Sequence, residues 1–392
     1  MTIPDYFEFA CPVKIVSGHT ALPNIPHEMG LLGARRALVV TDRGVEEAGL
    51  VKLVTGVFAG DDRSLGGVFS DVPPDSSDEV AARVVRAYRE GGCDCLLAVG
   101  GGSVIDTAKA ANMLLGTGAK GLLELQGAER LQGRMPPFIV VPTTAGTGSE
   151  VTMAAVIANT AKRTKMAFIA YNLFPDVAIL DPKMTLSMPP MITAATGMDA
   201  LTHACEAYYC LQKNPLSDAF AVAAIDLLME HLVPVVRDGS QAASRLAMAN
   251  AALMAGIAFS SSLVGVIHAL AHAVGAVAHV PHGVANAILL PWGMEYNIPK
   301  RASEIAALAP HLRVKSLTGE PSRDAAAAVQ AVRNLTSSLN QLCGLPRTLK
   351  QAGVTRAQLE EIAATAIDDG AIAMNPEEVD FDDALTLLIR AY

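Results

Sequence analysis

Four of the nine histidines in this 392-residue chain, His268, His272, His279 and His282, fall within fifteen positions of one stretch, HALAHAVGAVAHVPHGVANAILLP, residues 268 to 291. Every other side chain in that stretch is uncharged. A buried imidazole needs a hydrogen-bond partner or a metal, because an unsatisfied polar group in a dry interior costs about 1–3 kcal/mol. A second stretch, GMDALTHACEAY, places Asp199 and His203 four apart, one helical turn, so that both project from the same face. A carboxylate and an imidazole at that spacing can hold two adjacent vertices of a metal. With two more histidines they make a closed set of three nitrogens and one oxygen. His268 and His272 also share a helical face and can themselves chelate, whereas Pro281 can turn His282 back toward the face that carries His268. A mixed N/O set without thiolates suits Fe²⁺, Zn²⁺, Co²⁺ or Ni²⁺ and argues against Mg²⁺ or Ca²⁺. Four protein ligands leave a fifth position open for substrate.

Two polar turns offer a different chemistry. LLAVGGGSVIDTAKAA reads as an apolar strand, three glycines and a helix that Ser103 can cap, with Asp106 three residues on in a capping-box position. Glycines let the backbone approach a ligand closely, and the amide N–H groups at a helix N-terminus attract phosphate. The turn reads as a pyrophosphate cradle, although the GxGxxG fingerprint is absent and a purely structural strand-to-helix turn has the same composition. TTAGTGSEVT, residues 143 to 152, follows the strand FIVVP and is crowded with hydroxyls. Both turns leave the C-terminal ends of strands, where open α/β sheets bind their ligands. Asp42, ending the strand ALVVTD, is placed to accept hydrogen bonds from an adenosine ribose and to repel a 2′-phosphate, which favours NAD over NADP. An acidic residue at a strand end also serves as a turn former.

The elements that must position these groups fall into two regions. In the first half, short β-branched runs alternate with amphipathic helical stretches: RALVVTD (36–42), SSDEVAARVVRAYREGG (76–92), CDCLLAVG (93–100), SVIDTAKAANMLLG (103–116), FIVVPTT (138–144) and DVAILDP (176–182). That alternation predicts a doubly wound parallel sheet. From MPPMITAATGMDALTHACEAYY onward nearly everything is helix-forming and rich in Ala, Leu and Met. The boundary is placed near Met188–Pro189–Pro190, giving an α/β dinucleotide-binding domain over residues 1–187 and an all-α, metal-binding domain over 188–392.

Composition narrows the partners. At roughly 150 residues per domain the length suits two or three domains. A formal charge of −9 with scattered lysine and arginine gives no cationic face for nucleic acid or anionic lipid. The N-terminus, MTIPDYFEFACPVKIVSG, has no basic and apolar leader, so a cytoplasmic location is expected. The six cysteines form no CxxC pair and read as reduced structural thiols. Leu246 to Met294 contains no Asp, Glu, Lys or Arg, long enough for two membrane spans, but its Ala, Gly and Ser content and its histidines fit the centre of a helical core better. The expected partners are small and neutral or weakly charged, with no nucleic acid and no membrane.

Taken in order, GGGSVIDTAKA, PTTAGTGSEVT, GMDALTHACEAY and the histidine-rich stretch resemble the iron-containing (group III) alcohol dehydrogenase family over essentially the whole chain. The resemblance implies the dehydroquinate synthase-like two-domain fold, with a catalytic divalent metal and NAD(P) in the cleft between the domains. It implies Asp199, His203, His268 and His282 as metal ligands, Fe²⁺ with Zn²⁺ as the alternative, and His272 beside nicotinamide and substrate. His279 falls outside the family's ligand pattern and reads as structural. Gly100, Gly101, Gly102, Ser103, Thr143, Thr144 and Ser149 match cofactor-contacting positions, and Asp42 the position associated with NAD preference. Lys165, in KRTKMAF, matches a lysine that approaches the nicotinamide ribose, although a lysine there is equally at home in solvent.

The implied reaction is oxidation of a small primary alcohol by hydride transfer to nicotinamide, or the reverse, with the metal acidifying the substrate hydroxyl. The segments expected near substrate are dominated by Ala, Val, Met and Phe, which suits a short aliphatic or aromatic alcohol, of the lactaldehyde/propanediol or butanol type among others. Three rivals are separable. A dehydroquinate-synthase-like lyase needs basic residues for a phosphorylated sugar acid, and there is no Lys or Arg between Arg245 and Lys300. A hydroxyacid–oxoacid transhydrogenase turns over without added NAD. A non-catalytic metal- or nucleotide-binding protein has no need of the full ligand set and both turns together.

Overall fold

A computed structural model describes residues 3–74, 76–128, 131, 133–159 and 164–392. The chain divides into two compact units, Cys11–Ser187 and the pair of segments Met1–Ala10 and Met188–Tyr392. Within the second unit Phe9 stacks on Phe220, ring centroids 5.9 Å apart and nearly parallel.

The Cys11–Ser187 unit is α/β. Its main sheet holds six strands, β1 (Lys14–Ser17), β2 (Arg36–Val40), β3 (Ser64–Phe69), β4 (Cys95–Gly100), β6 (Phe138–Pro142) and β9 (Val177–Leu180), in the order β1-β9-β6-β4-β2-β3 and all parallel. A small sheet, β5-β8-β7, is built from β5 (Gly127–Ala128), β7 (Ala154–Asn159) and β8 (Thr164–Ile169). Helices α1 (Ile25–Leu31), α2 (Arg43–Glu47), α3 (Leu50–Gly56), α4 (Asp78–Glu90) and α5 (Gly102–Thr117) connect the strands. The central strands CLLAVG, FIVVP and VAIL are buried at every position, as a parallel strand covered on both faces must be. Separate apolar clusters fill the two faces: Leu38, Val40, Leu96 and Ala98 point to one, and Val39, Leu97, Val99 and Ile139 to the other.

Strand order decides where a ligand can sit. The chain leaves β2 for the neighbouring edge strand β3 and leaves β4 toward β6 on the other side, so the connections diverge between β2 and β4. Such a switch point is the binding crevice of open parallel sheets. Val40 lies opposite Ala98, and Gly100 opposite Pro142, so Asp42, the glycine turn and Thr143 all emerge at the same end of the sheet.

The second unit is helical: α6 (Pro190–Tyr209), α7 (Pro215–Arg237), α8 (Ala242–Ser262), α9 (Val266–Ala278), α10 (His282–Leu308), α11 (Pro321–Cys343), α12 (Leu359–Ile367) and α13 (Phe381–Ala391). Helix α6 runs through its centre against α7, α8 and α10, with fifteen of its twenty residues buried. By length and composition α7 and α8 could each cross a bilayer. In this fold they pack on α6 and on each other. The fully buried Arg245 ties α8 to the start of α6 through Thr193 Oγ1 at 2.8 Å and the Met188 carbonyl at 2.9 Å.

Candidate metal centre and cofactor turns

Helix α6 presents Asp199 and His203 on one face; α9 brings His268 in its first turn, and α10 begins at His282. One ligating atom from each of these four residues lies within 4.8 Å of every other. Asp199, His203 and His268 are at most 5% exposed, whereas the His282 side chain is 39% exposed, so the group opens to solvent on the His282 side. The rings are close-packed: His203 is stacked between Phe259 and His268, at 4.2 and 4.4 Å, and His268 lies 5.4 Å from His282.

Space at the α6–α10 crossing depends on one glycine. A Cβ on Gly283 would sit 2.5 Å from the Ala195 carbonyl oxygen and 3.4 Å from the Asp199 Cβ. Only glycine lets the start of α10 come down on α6 far enough to set His282 beside Asp199, 3.5 Å between Nε2 and Oδ1.

The donor chemistry fits a cation. Burial, then the neighbouring rings His203, His282 and His272, hold His268 well below the usual imidazole pKa, so it is neutral with a lone pair to give. The Asn286 amide nitrogen stands 2.6 Å from Asp199 Oδ1, 3.2 Å from His268 Nε2 and 3.1 Å from His282 Nε2. Two amide hydrogens cannot serve three acceptors. The same side chain leaves its Oδ1 buried without a partner. Lone pairs from three residues thus converge on one point, as expected of a divalent-ion site.

The other two histidines of the stretch separate. His272 stands parallel to His282 at 5.1 Å and hydrogen-bonds through Nδ1 to Asp369 Oδ2 at 2.8 Å; its side chain is 37% exposed. His279 is the C-cap of α9 in the left-handed conformation, φ 55°, and its N–H donates to the Gly275 carbonyl. Glu206, one turn beyond His203, is fully buried and binds His268 Nδ1 through Oε2 at 2.5 Å. Burial raises this carboxyl above its ordinary range, while backbone N–H groups of Ile267, Gly265 and His268 favour the ionised form that accepts from the ring. Its signal in the sequence is position: Asp199, His203 and Glu206 follow the i, i+4, i+7 pattern of one helix face.

In the α/β unit the two polar turns pack directly on each other. A Cβ on Gly101 would meet Thr144 at 3.3 Å and one on Gly102 would meet Thr147 at 2.9 Å, while Thr143 N donates to the Gly100 carbonyl. The expected Ser103 cap is not formed. Helix α5 begins one residue before Ser103, with Gly101 extended at the cap position and no side-chain cap. Asp106 instead crosses to the second turn, accepting from Ser149 Oγ at 3.3 Å and from Val156 N at 3.0 Å. One turn on, the fully buried Lys109 donates to Thr152 O, Thr152 Oγ1 and Ala154 O at 2.8–2.9 Å, and burial pushes it down to about 8. Burial likewise pushes Glu150, inside the second turn, up to about 7. Asp42 caps α2, accepting from Val45 N at 2.9 Å through Oδ1. The Lys165 side chain lies outside the described residues.

Comparison with known proteins covers both units. Residues 12–182 match the family model "Iron-containing alcohol dehydrogenase", and residues 193–392 match "Fe-containing alcohol dehydrogenase family, C-terminal". The chain is 36% identical to a 1,3-propanediol dehydrogenase of Citrobacter freundii, over 95% of each chain. It is 34% identical to an NAD-dependent methanol dehydrogenase of Bacillus methanolicus, over 98% of this chain and 99% of that one. Among solved structures, a 1,3-propanediol oxidoreductase superposes with a TM-score of 0.94 at 33% identity, covering 99% of this chain and 100% of its own.

Proposed function

The chain belongs to the family of iron-containing alcohol dehydrogenases, enzymes of alcohol–aldehyde interconversion, and we propose that it acts on a small primary alcohol, with NAD as hydride carrier and Fe²⁺ as resident ion. The observation that carries this is the convergence of one carboxylate and three imidazoles within 4.8 Å in a helical core otherwise poor in charge. Asp199, His203, His268 and His282 would hold the ion. Bound there, a divalent ion supplies Lewis-acid chemistry, withdrawing electron density from a substrate oxygen and lowering its pKa by several units. Nicotinamide supplies the hydride acceptor.

The chain's own residues do the rest. Burial of Asp199, His203 and His268 keeps water from three sides, so substrate enters past His282 and His272. Asp369 fixes the His272 ring through Nδ1, leaving Nε2 to take the alcohol proton and pass it to solvent. The uncapped N-terminus of α5 and the glycines before it receive the pyrophosphate. Thr143, Thr144 and Ser149 line the second turn, Asp42 uses its remaining carboxylate oxygen on the adenosine ribose, and Lys165 is assigned to the nicotinamide ribose by the family resemblance alone. The enzyme is proposed to be a cytoplasmic homo-oligomer.

The test is anaerobic purification, metal analysis and a panel of primary alcohols with NAD and NADP. The expected result is near one divalent ion per chain and NAD-dependent aldehyde formation that a chelator abolishes and Fe²⁺ restores. Turnover indifferent to chelation overturns the metal role, and turnover without added NAD favours a transhydrogenase.

A further inference from the structure

We infer that Glu206 is a positioning residue of the metal centre: it holds His268 in the tautomer whose Nε2 faces the ion and fixes the first turn of the helix that carries it. The inference rests on the metal-centre reading above.

The geometry is specific. Glu206 is completely buried on the ligand-bearing face of α6. One carboxylate oxygen meets His268 Nδ1 at 2.5 Å, and the other accepts from Ile267 N at 2.9 Å. A single carboxylate therefore grips both the ring and the backbone of the first turn of α9. An imidazole that donates from Nδ1 to a carboxylate must present Nε2 as an acceptor. That Nε2 faces the same Asn286 nitrogen that Asp199 Oδ1 and His282 Nε2 face, so the tautomer chosen by Glu206 aims the lone pair at the point where the other ligands converge. Carboxylate partners of ligating histidines act in this way in metal proteins generally, and their loss typically weakens metal binding by about 10–100-fold.

The surrounding chain is shaped to bring Glu206 there. A Cβ on Gly265 would lie 3.2 Å from Glu206 Oε1 and 2.7 Å from Asn375 Oδ1. Asn375 Oδ1 accepts from Val266 N, the amide just before the one that Glu206 binds, and is itself paired with Asn297. The α9 N-terminus is thus pinned by two side chains, Glu206 and Asn375, the second braced by Asn297, and its partial positive charge suits the one that is a carboxylate.

A plain helix cap would stabilise α9 without choosing a tautomer, and the experiment separates the two roles. The metal-free full-length protein, labelled with ¹⁵N-histidine, is examined by NMR for the His268 tautomer, then titrated with Zn²⁺ against a chromophoric chelator. Wild type is expected to show Nδ1–H and to bind Zn²⁺. Glu206→Gln, which keeps an acceptor for Ile267 N–H but can also donate to Nδ1, is expected to populate Nε2–H and to bind Zn²⁺ about 10–100-fold more weakly. An unchanged tautomer or unchanged affinity in folded Glu206→Gln overturns the inference. If that variant does not fold, an Nε2–H tautomer at His268 in wild type overturns it by itself. Failure of wild type to bind Zn²⁺ refutes the metal reading instead, while the tautomer still decides the role of Glu206.

Discussion

Gly283→Ala tests the packing that builds the centre. Gly283 has no left-handed backbone, so nothing but space demands glycine there. The added Cβ would stand 2.5 Å from the Ala195 carbonyl oxygen and 2.9 Å from its carbon. These are backbone atoms of the second turn of α6, which cannot swing aside as a side chain can. Relief requires the start of α10 to withdraw by roughly 1 Å, the gap between 2.5 Å and an ordinary contact of 3.4 Å. His282 is the first residue of α10 and moves with it. Metal–ligand distances tolerate only about 0.2 Å, so the shift should cost at least the roughly 10–100-fold in affinity that follows from disturbing a ligand's support. Overpacking adds about 1–3 kcal/mol, several degrees in Tm for a unit of this size. Gly275→Ala, at a helical position of α9, is the control: its Cβ would meet Val280 O, beyond the helix end, at 3.5 Å, an ordinary contact, so stability should rise by about 0.5–1 kcal/mol with metal unchanged. Metal content by elemental analysis and Tm by calorimetry decide. Full metal occupancy at wild-type Tm in Gly283→Ala would refute the reasoning.

Four further outcomes are expected. His282→Ala should lose most bound metal while NAD titration stays normal; full occupancy would remove His282 from the ligand set. His272→Ala should keep its metal and lose turnover by about 10²-fold or more; loss of metal there, with His282→Ala retaining it, would mean the two histidines exchange roles. Asp42→Gly should raise catalytic efficiency with NADP relative to NAD at little cost in stability, because glycine replaces an N-cap for a few tenths of a kcal/mol; an unchanged cofactor ratio would leave Asp42 as the cap of α2 alone. Burial raises Glu150 from its ordinary 4.5 to about 7, so the folded chain keeps a proton that the unfolded chain releases. Its contribution is full below 4.5 and is lost as pH rises to about 7, by at most about 1.4 kcal/mol per unit, and Glu150→Gln should flatten that fall in calorimetry. An unaltered pH slope in the variant would count against the buried carboxyl.

How much of this is legible in the sequence depends on what surrounds each element. Strands β4, β6 and β9, and β2 after its exposed Arg36, announce themselves because a strand covered on both faces is apolar throughout. The edge strands KIVS and SLGGVF carry no such run, since one side of each is left to solvent and β3 contains two glycines. The S-x-x-D pattern at Ser103 and Asp106 has the form of a capping box, but packing of the glycines on Thr144 and Thr147 starts the helix earlier and frees Asp106 for the neighbouring turn. Lys109 and Glu150 are ordinary polar letters in the sequence. Only the closing of β7 and the second turn over α5 buries them, which no local pattern records.

The four clustered histidines turn out to answer three different demands. His268 and His282 face the convergent lone pairs, His272 answers to Asp369, and His279 ends a helix. What joins them is α9, which among the described residues is the one helix with a non-glycine residue at positive φ on both sides: Leu263 at 63° before it and His279 at 55° after it. Each such residue costs about 1–3 kcal/mol and persists only where its surroundings over-determine it. Leu263 closes α8 on the carbonyl of Phe259, the residue whose ring stacks on His203, and two residues later Gly265 passes against Glu206 and Asn375. His279 closes α9 just before Pro281 turns the chain into the helix that starts with His282. The strain therefore sits at the two bends that decide where His268 and His282 stand relative to α6. The packing that holds these two strained residues in place also holds the ligands beyond them.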